Sequence, residues 1–413
     1  MGYIKRHSEQ RFMHMQASYK AVLLFGARQV GKTTMLRYLH ERDTRCRQKA
    51  KRSCVTLDNM MALDLAKHDP EAFFRIYKPP VLIREIQYAP ELLAYISAIC
   101  DKSGEKGQFW LTCSQWSPEI DKQVVAAGSA LGVMEMSGLS RREAEGEISA
   151  KPYSLPKMLM ERQEAPLQDI DRIYDFIWRG GMPEVREGAE EDRPAYFASY
   201  IDDVIVKDAI YLAGVTDPLR FRRFMTAAAK SIAEKVNYKA LAESAGISQP
   251  TAKEWLILLE KLGIVYILRP FLHDGCKRLA KTAKLYFRDT GLCAYLAGYP
   301  SYAALRGGAG AAQYAENYVV MELVKNYTAS TGRADLWYYR NAKAKEIDLL
   351  LLEGGLIHPF EIQMLGAPDT KACRKFGVLQ KAGVRVGSGG ILCANPSLQQ
   401  VDNMHFLVPC GLL

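Results

Sequence analysis

One segment near the start of the chain constrains the fold more than any other. It has the sequence AVLLFGARQVGKTTMLRYL, from Ala21 to Leu39, and fits the pattern Gly-x-x-x-x-Gly-Lys-Ser/Thr at every fixed position. An apolar run precedes the pattern and a helical pattern follows it, so we predict a strand, a loop and a helix in that order. Glycines let backbone N–H groups approach phosphate oxygens, and a helix N-terminus adds partial positive charge. The segment therefore predicts a phosphate-binding loop.

The loop also predicts which residues hold the ligand. Lys32 is placed to reach the β- and γ-phosphates of ATP, and the Thr33 hydroxyl is placed to bind the Mg²⁺ ion that accompanies the nucleotide. The alternative is a tight turn before a core helix, with Lys32 on the surface, but the order of strand, loop and helix favours the phosphate site. The residues predicted to bind nucleotide are Gly26, Ala27, Arg28, Gln29, Val30, Gly31, Lys32, Thr33 and Thr34.

Hydrolysis at such a loop also needs carboxylates at the end of a second strand. In the candidate strand, VLIREIQ, Glu85 is the candidate catalytic base, but Arg84 stands where a Mg²⁺-binding Asp is expected. Glu85 either polarises water or contacts the metal shell, or it is a plain strand-end carboxylate paired with Arg84. A further strand, FWLTCSQ, ends in Ser114 and Gln115, which we predict to sense the γ-phosphate at the carboxyl edge of the sheet. The alternative for these two is an ordinary turn or helix cap.

The whole chain divides into three segments by pattern. Residues 1–150 alternate short apolar runs with helical stretches, which is typical of a parallel α/β sheet. Residues 151–300 are mostly helical by period, and residues 301–413 return to strands. We therefore predict a multidomain α/β fold, with a P-loop parallel sheet, a helical region and a small α/β domain.

Composition narrows the class of protein. The 413 residues are 48% hydrophobic and 24% charged, as in soluble globular proteins, and no apolar run is long enough for a membrane span. The nine cysteines form no CxxC pair, which favours reduced thiols in the cytoplasm, and neither Cys nor His shows metal-ligand spacing. The net charge of +9 includes basic clusters at 45–52, 220–223 and 277–288. These either attract nucleic acid or form a solvated face.

The stretch from about 235 to 270 predicts a winged helix-turn-helix. Its sequence gives a helix that ends at a Gly turn in LAESAGIS, then a helix that begins at Ser248 or Gln249 with Pro250 in its first turn, and then the strand IVYIL. The functional interpretation is contact with DNA, and the alternative is a packed lid or a protein-binding module. The candidate DNA-contacting residues are Gln249, Thr251, Lys253 and Lys261.

A set of motifs along almost the whole chain resembles a large family of predicted prokaryotic AAA+-like ATPases. The motifs are GARQVGKTTML, VTLDN, DPEAFF, LIREIQYAPELL, LTCSQ, GLSRREAE, RGGMPEV, YIDDVIVKDA, KRLAKTAKLYFRDTGLCAYL, AENYVVMEL and KEIDLLLLEGG. The resemblance implies a P-loop ATPase domain, a winged-helix region and a C-terminal domain similar to restriction-type nucleases.

This chain departs from the family at three places near the expected phosphate site. The family usually has Asp-Glu where this chain has Arg84 and Glu85, and Gly where this chain has Cys113. The segment GSALGVMEMSGLS also lacks the arginine that usually precedes GLS. Arg84 would repel a metal ion, or would itself neutralise phosphate charge. We therefore expect firm nucleotide binding with weak or impaired hydrolysis.

The resemblance also singles out carboxylates in the C-terminal domain. Restriction-type nucleases place Asp on one strand and Glu-x-Lys on the next, and residues two apart share a strand face. The matching residues here are Glu316 on a helix, Asp348, Glu361 and, at the Lys position, Gln363. Because Gln363 carries no positive charge, we favour a degenerate nuclease fold kept for binding or packing. A cleaving enzyme is the alternative.

These patterns lead to one main hypothesis and two rivals. The main hypothesis is an ATP-binding AAA+-like protein that couples nucleotide state to a nucleic-acid or protein partner. The rivals are a DNA-acting nuclease-like enzyme and a pseudo-ATPase binding module without turnover. The sequence leaves the partner and the assembly state open.

Overall fold

The computed structural model describes residues 2–42, 52–149, 151–272, 282–341, 345–364 and 366–413. Of the basic clusters, residues 45–51 of the cluster 45–52 and residues 277–281 of the cluster 277–288 lie outside these described residues.

A parallel five-stranded sheet organises the N-terminal part of the chain. Its strand order is β2-β3-β4-β1-β5, so β1 lies between β4 and β5. The first four strands were predicted from their apolar runs, whereas the short β5 was not. The strands are Ala21–Phe25 (β1), Ser53–Thr56 (β2), Val81–Arg84 (β3), Phe109–Cys113 (β4) and Leu131–Glu135 (β5).

Both faces of this sheet are buried, as a parallel sheet requires. Along β1, Val22 and Leu24 pack into one apolar cluster, while Ala21 and Leu23 pack into a second cluster on the opposite face. Helices cover the two faces. They are Ser8–Ser18 (α1), Lys32–Arg42 (α2), Met60–His68 (α3), Pro70–Ile76 (α4), Leu92–Ser103 (α5), Pro118–Ala127 (α6) and Arg141–Ala144 (α7).

The middle of the chain is helical, as predicted. One helix runs through three consecutive segments, because the π-helical turn Tyr200–Val206 joins α11 to α12 without a break. The helices are Leu155–Met160 (α8), Ile170–Arg179 (α9), Pro183–Glu187 (α10), Arg193–Ser199 (α11), Lys207–Ala213 (α12), Pro218–Ala229 (α13), Tyr238–Ala245 (α14), Gln249–Lys261 (α15), Thr290–Ala297 (α16) and Tyr302–Gly307 (α17).

Local signals account for the pair α14 and α15. Gly246 ends α14 with a φ of +67°, and Ser248 begins α15 by accepting a hydrogen bond from the Thr251 amide. Pro250 lies in the first turn, where it needs no amide hydrogen. An antiparallel ribbon follows, made of Val265–Leu268 (β6) and Lys284–Phe287 (β7). Whether this unit acts as a winged helix stays a prediction.

A six-stranded mixed sheet forms the C-terminal part, with the order β12-β13-β11-β10-β9-β8. The buried helix Ala311–Ser330 (α18) precedes it, and Gly377–Lys381 (α19) lies within it in sequence. Both parallel and antiparallel neighbours occur, so this sheet differs in kind from the first. Its strands are Leu336–Arg340 (β8), Glu346–Glu353 (β9), Leu356–Gln363 (β10), Gly389–Cys393 (β11), Gln399–Gln400 (β12) and His405–Pro409 (β13).

The predicted fold class, a multidomain α/β protein, is confirmed: a parallel sheet with helices is followed by a separate small sheet. One apolar cluster nevertheless runs from β1 through the middle helices to α18 and β13, so the three segments share buried contacts. Within the described ranges, we find no helix that combines the length and apolarity needed to cross a bilayer.

Candidate functional site

The predicted phosphate loop lies at the carboxyl end of β1, directly before α2. Its backbone needs residues that tolerate positive φ, which is +154° at Gly26, +62° at Gln29 and +97° at Gly31. A Cβ at Gly26 would lie 2.0 Å from the Met136 carbonyl oxygen, so only glycine fits there. The glycine at this position is therefore required by close backbone packing as well as by the turn.

The loop presents unpaired backbone donors at the start of α2. The first hydrogen bond of the helical ladder runs from the Met35 amide to the Gly31 carbonyl at 2.9 Å. The amides of Lys32, Thr33 and Thr34 precede that bond and have no acceptor inside the helix. Backbone donors at a helix N-terminus form a site for an anion.

The Lys32 side chain is folded over the loop and is almost fully buried. Its Nζ donates to the carbonyl oxygens of Gly26 and Ala27, each at 2.8 Å. Burial lowers the pKa of Lys32 to about 8, although nearby Glu85 favours the charged form. Lys32 is not the exposed surface lysine of the alternative interpretation. Its ammonium group is instead held beside the loop by these two hydrogen bonds.

A cavity of about 680 Å³ opens above the loop, within the size range of small-molecule sites. Six of the nine predicted nucleotide-binding residues line it, whereas Ala27 and Val30 pack in the apolar core. Residues at or just after the carboxyl ends of β2, β3 and β4, residues of the N-terminal segment and residues of the middle helices complete the wall. The lining comprises Gly2, Tyr3, Ile4, Arg6, Arg28, Gln29, Gly31, Lys32, Thr33, Thr34, Asp58, Arg84, Glu85, Ser114, Leu139, Pro183, Glu184, Glu187 and Val204.

The candidate base Glu85 lies in this cavity wall with both carboxylate oxygens engaged. Ser114 Oγ donates to one oxygen at 3.0 Å, and Gln87 Nε2 donates to the other at 2.7 Å. Glu85 is thus bound to these neighbours and not to Arg84. Its backbone has a φ of +58°, an uncommon value for a residue other than glycine. The Glu85 side chain therefore lies in the cavity wall, but hydrogen bonds from Ser114 and Gln87 already occupy both of its carboxylate oxygens.

The two predicted γ-phosphate sensors separate in the structure. Ser114 lines the cavity and supports Glu85, whereas Gln115 is buried and is not among the described residues that line the cavity. Neither caps the following helix, since Ser117 begins α6. Cys113 is fully buried, and burial raises the pKa of its thiol to about 12. The thiol donates to the Gln115 carbonyl oxygen at 3.0 Å.

Arg6, which the sequence did not suggest, supports the loop from below. Its guanidinium donates to the Val30 carbonyl at 2.8 Å and to the Ser137 carbonyl at 2.6 Å, and it pairs with Glu143 at 3.1 Å. Arg6 lowers the pKa of Glu143 to about 2, although burial of that carboxyl opposes the shift. Glu143 and Ser140 also form a reciprocal cap of α7. No short-range pattern predicts Arg6, because its partners lie far along the chain.

A contact from the helical middle reaches the loop through Arg28. Its guanidinium pairs with Asp208 of α12 at 2.8 Å and donates to the Tyr88 hydroxyl at 2.8 Å. Asp208 belongs to the motif YIDDVIVKDA, whose sequence alone indicates no role for this residue. The π-helical turn lies directly before α12, and such turns often occur at functional sites. The phosphate loop is thus tied to a second segment.

The C-terminal carboxylates form ion pairs with two lysines. Lys284 of β7 is buried, and its Nζ lies 3.2 Å from Glu316 and 2.9 Å from Glu346. Tyr286 also donates to Glu316, at 2.7 Å. These carboxylates raise the pKa of Lys284 despite its burial. Asp348 accepts from the Ile362 amide at 3.0 Å on the neighbouring strand.

A second lysine pairs with the next strand. Lys375 Nζ lies 2.7 Å from Glu361, which is only 3% exposed. Burial, and then the charge of Asp348, raise the pKa of Glu361 to about 7. Gln363 instead accepts from the Asp369 amide at 2.7 Å. The positive charge missing at Gln363 is therefore supplied by Lys375, twelve positions later, which no spacing rule indicated.

The candidate DNA-contacting side chains lie on α15. Gln249, Lys253 and Lys261 are exposed, and Thr251 is half-buried beside Ser248. The basic cluster at 220–223 is partly neutralised, since Arg220 and Arg222 form ion pairs with Asp217 and Asp202. Exposure permits contact with a polyanion but does not itself indicate one.

The fold and site together define a P-loop domain: a parallel sheet, a phosphate loop at a strand end, and a cavity there. Residues 18–145 match the family model described as an AAA domain, so this part is an ATPase-like P-loop domain of the AAA type. Two further models, each described as a domain of unknown function, match residues 170–303 and 311–413.

Individual relatives are distant. The chain is similar to an uncharacterized protein of Mycobacterium tuberculosis and one of Mycobacterium bovis. Each is 25% identical over 352 residues, covering 84% of this chain and 71% of the relative. Among solved structures, a Walker-type ATPase of Pyrococcus abyssi is 14% identical, with a TM-score of 0.42, over 71% of this chain and 96% of that one. The ORC2 protein of Aeropyrum pernix is 12% identical, with a TM-score of 0.34, over 63% and 85%. These scores are too low to support inference.

The two expected cofactors differ in how well the residues fit them. A triphosphate fits, because the loop offers free backbone donors and Lys32 at the mouth of a cavity. A protein-bound Mg²⁺ fits less well, because Arg84 stands where a metal-binding Asp is expected at the end of β3, and both oxygens of the adjacent Glu85 already accept hydrogen bonds. Among the described residues, no group of three or more His, Cys, Asp or Glu side chains is arranged to hold a metal ion.

Proposed function

We propose that this protein binds ATP at the loop from Gly26 to Thr34, hydrolyses it weakly, and uses the bound state to alter contacts with a nucleic-acid or protein partner. The observation that carries the proposal is the loop itself, with free amides at the start of α2 and a buried Lys32 whose ammonium group lines the cavity. A polyphosphate chain would replace the two carbonyl oxygens as the partner of that ammonium group. Such charge-assisted contacts are the strong ones in phosphate recognition.

We expect weak hydrolysis because of the residues at the carboxyl end of β3, where the catalytic carboxylates of such a site are expected. Glu85 is the only carboxylate of that strand end, and both of its oxygens already accept hydrogen bonds from Ser114 and Gln87. To act as a general base it must release one of these donors to reach a water molecule. Arg84 also removes the expected metal-binding carboxylate. Slow turnover distinguishes this proposal from a pseudo-ATPase, which has none.

Coupling to a partner is proposed through Arg28. Because Asp208 and Tyr88 hold its guanidinium, a phosphate that attracts Arg28 would compete with the link to α12. A bound nucleotide would therefore change how α12 sits against the loop. The unit of α14, α15 and the ribbon follows α12 in sequence, and we propose that it is a winged helix that meets the partner.

The deciding experiment measures nucleotide binding and turnover together on the wild type and on Lys32→Ala. We expect the wild type to bind ATP and ADP and Lys32→Ala to lose about 100-fold in affinity, as for loss of charge-assisted hydrogen bonds. Lys67→Ala, at an exposed lysine of α3, is the matched control. Absence of ATP and ADP binding by the wild type would remove the main claim, and turnover that survives Lys32→Ala would defeat a catalytic role for the loop.

A second candidate function, action on DNA, is favoured by one observation. Lys375 places a positive charge beside Glu361, close to Asp348, where the pattern alone had left none. The test is nicking of supercoiled DNA with added Mg²⁺, compared with Asp348→Ala. Duplex binding at low salt, and its loss on raising the salt, is measured alongside. Nicking that Asp348→Ala abolishes would support this function. We favour the packing role, because the lysines already neutralise the carboxylates.

A further inference from the structure

We infer that Arg84 takes over the charge-neutralising part that a metal ion ordinarily plays at such a site, so that this protein binds nucleoside triphosphate without Mg²⁺. The inference rests on the proposed nucleotide site and names how that site recognises its ligand. Arg84 is the last residue of β3, and its side chain lines the same cavity as Lys32 and Thr33.

Arg84 differs from the other cations of the cavity in having no partner. Lys32 is bound to loop carbonyls, Arg28 to Asp208, and Arg6 to Glu143. Within the described residues, the Arg84 side chain makes no hydrogen bond or ion pair, and its Nε is buried without an acceptor. A buried guanidinium donor without an acceptor is costly. A phosphate in the cavity would supply the missing acceptor.

Arg84 lies where a side chain can contact the terminal phosphates of a nucleotide bound at the loop. It lies at the carboxyl end of β3, and Ser114 directly follows the neighbouring strand β4, which in turn lies beside the loop strand β1. Burial is the main cause that lowers the pKa of Lys32, and the charge of Arg84 is a smaller cause in the same direction, so the two cations lie within electrostatic range of each other. A guanidinium binds phosphate directly through two parallel N–H donors, so the contact needs no bridging metal ion.

Four carboxylates line the cavity, and only Asp58 and Glu85 follow strands of the sheet, since the exposed Glu184 and Glu187 lie on α10. Glu85 is occupied by Ser114 and Gln87. Asp58 is exposed after β2 and accepts from the Thr56 hydroxyl at 2.9 Å. Because Asp58 follows a strand of the sheet and lines the cavity, a variant at this residue belongs in the test.

The test is ATP binding to the full chain, measured by calorimetry in excess Mg²⁺ and again in EDTA. We expect the wild-type affinities in the two conditions to agree within about threefold, a difference below 1 kcal/mol. Arg84→Asp is expected to lose about 10-fold or more in EDTA and to regain affinity when Mg²⁺ is added. Arg84→Lys keeps the charge and is expected to retain metal-independent binding. Arg75→Asp, at an exposed arginine of α4, is the matched control.

The outcomes separate this inference from the proposed function. Tight wild-type binding only in Mg²⁺ would overturn the inference and leave the nucleotide site standing, and loss of that binding in Asp58→Asn would identify the ligand. No binding in either condition would defeat the nucleotide site itself, and the inference with it. If Arg84→Asp unfolds, Arg84→Gln replaces it, with a loss in EDTA still expected. The wild-type comparison needs no variant at all.

Discussion

The phosphate loop and the C-terminal carboxylate cluster each contain a buried lysine, but their charges are balanced differently. Lys32 is bound only to neutral carbonyl oxygens, and burial lowers its pKa. Lys284 is bound to Glu316 and Glu346, and those carboxylates raise its pKa. The first site therefore holds a positive charge ready for an anion, whereas the second is already neutralised within the protein. Buried charge indicates a ligand site only where the protein leaves it without an opposite charge.

The largest effect is expected at the neutralised cluster. Lys284→Ala would leave Glu316 and Glu346 without their buried partner, at a cost of about 3–5 kcal/mol in the free energy of unfolding. Lys235→Ala is the matched control, because Lys235 approaches the same Glu346 at 3.4 Å but is 30% exposed. We expect the control to cost less than about 1 kcal/mol. Urea unfolding measures the free energy of unfolding of both variants. Equal losses would show that burial does not make the ion pairs of Lys284 more important for stability than that of Lys235.

The next effect concerns the link between the loop and α12. Asp208→Asn removes the charge that holds Arg28, so we expect a loss of about 1.5–3 kcal/mol, the range for hydrogen bonds to charged groups. Amide hydrogen exchange along residues 200–211 should become faster. Asp203→Asn, at an exposed aspartate of the same continuous helix that pairs with Lys207, serves as the control. Unchanged exchange in Asp208→Asn would contradict the proposed coupling.

Lys32 predicts a pH dependence of nucleotide binding. Its pKa is about 8 in the free protein, and a bound phosphate must raise it, so the complex holds a proton that the free site loses above pH 8. Affinity should be nearly constant below that pH and fall by up to about tenfold per pH unit above it. Lys32→Arg keeps its charge throughout and should flatten the profile. A wild-type affinity that rises above pH 8 would contradict this account.

The last prediction concerns the effect of pH on stability through Glu361. Its pKa is raised to about 7 in the folded protein from an ordinary value of 4.5, so the folded state binds more protons than the unfolded state between those values. Its contribution to stability is therefore present below about pH 4.5 and is lost as pH rises through 7, with a slope of at most about 1.4 kcal/mol per pH unit. Glu361→Gln should remove this slope in unfolding experiments from pH 5 to 8. An unchanged slope would show that Lys375 keeps Glu361 ionised.

Much of the fold was predictable because its signals are local. The strand, loop and helix around Lys32 follow from an apolar run, two glycines and a helical period in one short segment. The same holds for α15, whose cap at Ser248 and proline at its first turn specify where it begins. The strand β5 was missed because its sequence LGVME contains Gly132, which weakens a strand pattern.

The sequence by itself determined that this chain has a phosphate loop, which residues form it, and that Arg84 breaks the expected acidic strand. Only the tertiary structure decided what surrounds those residues. Arg6, Asp208 and Lys375 reach their sites from distant or unpatterned positions. The physical reason is that a loop's conformation depends on neighbours in sequence, whereas the balance of buried charge depends on neighbours in space. Local sequence patterns thus indicate that a site is present. Whether its buried charges are paired depends on the packing of the whole chain.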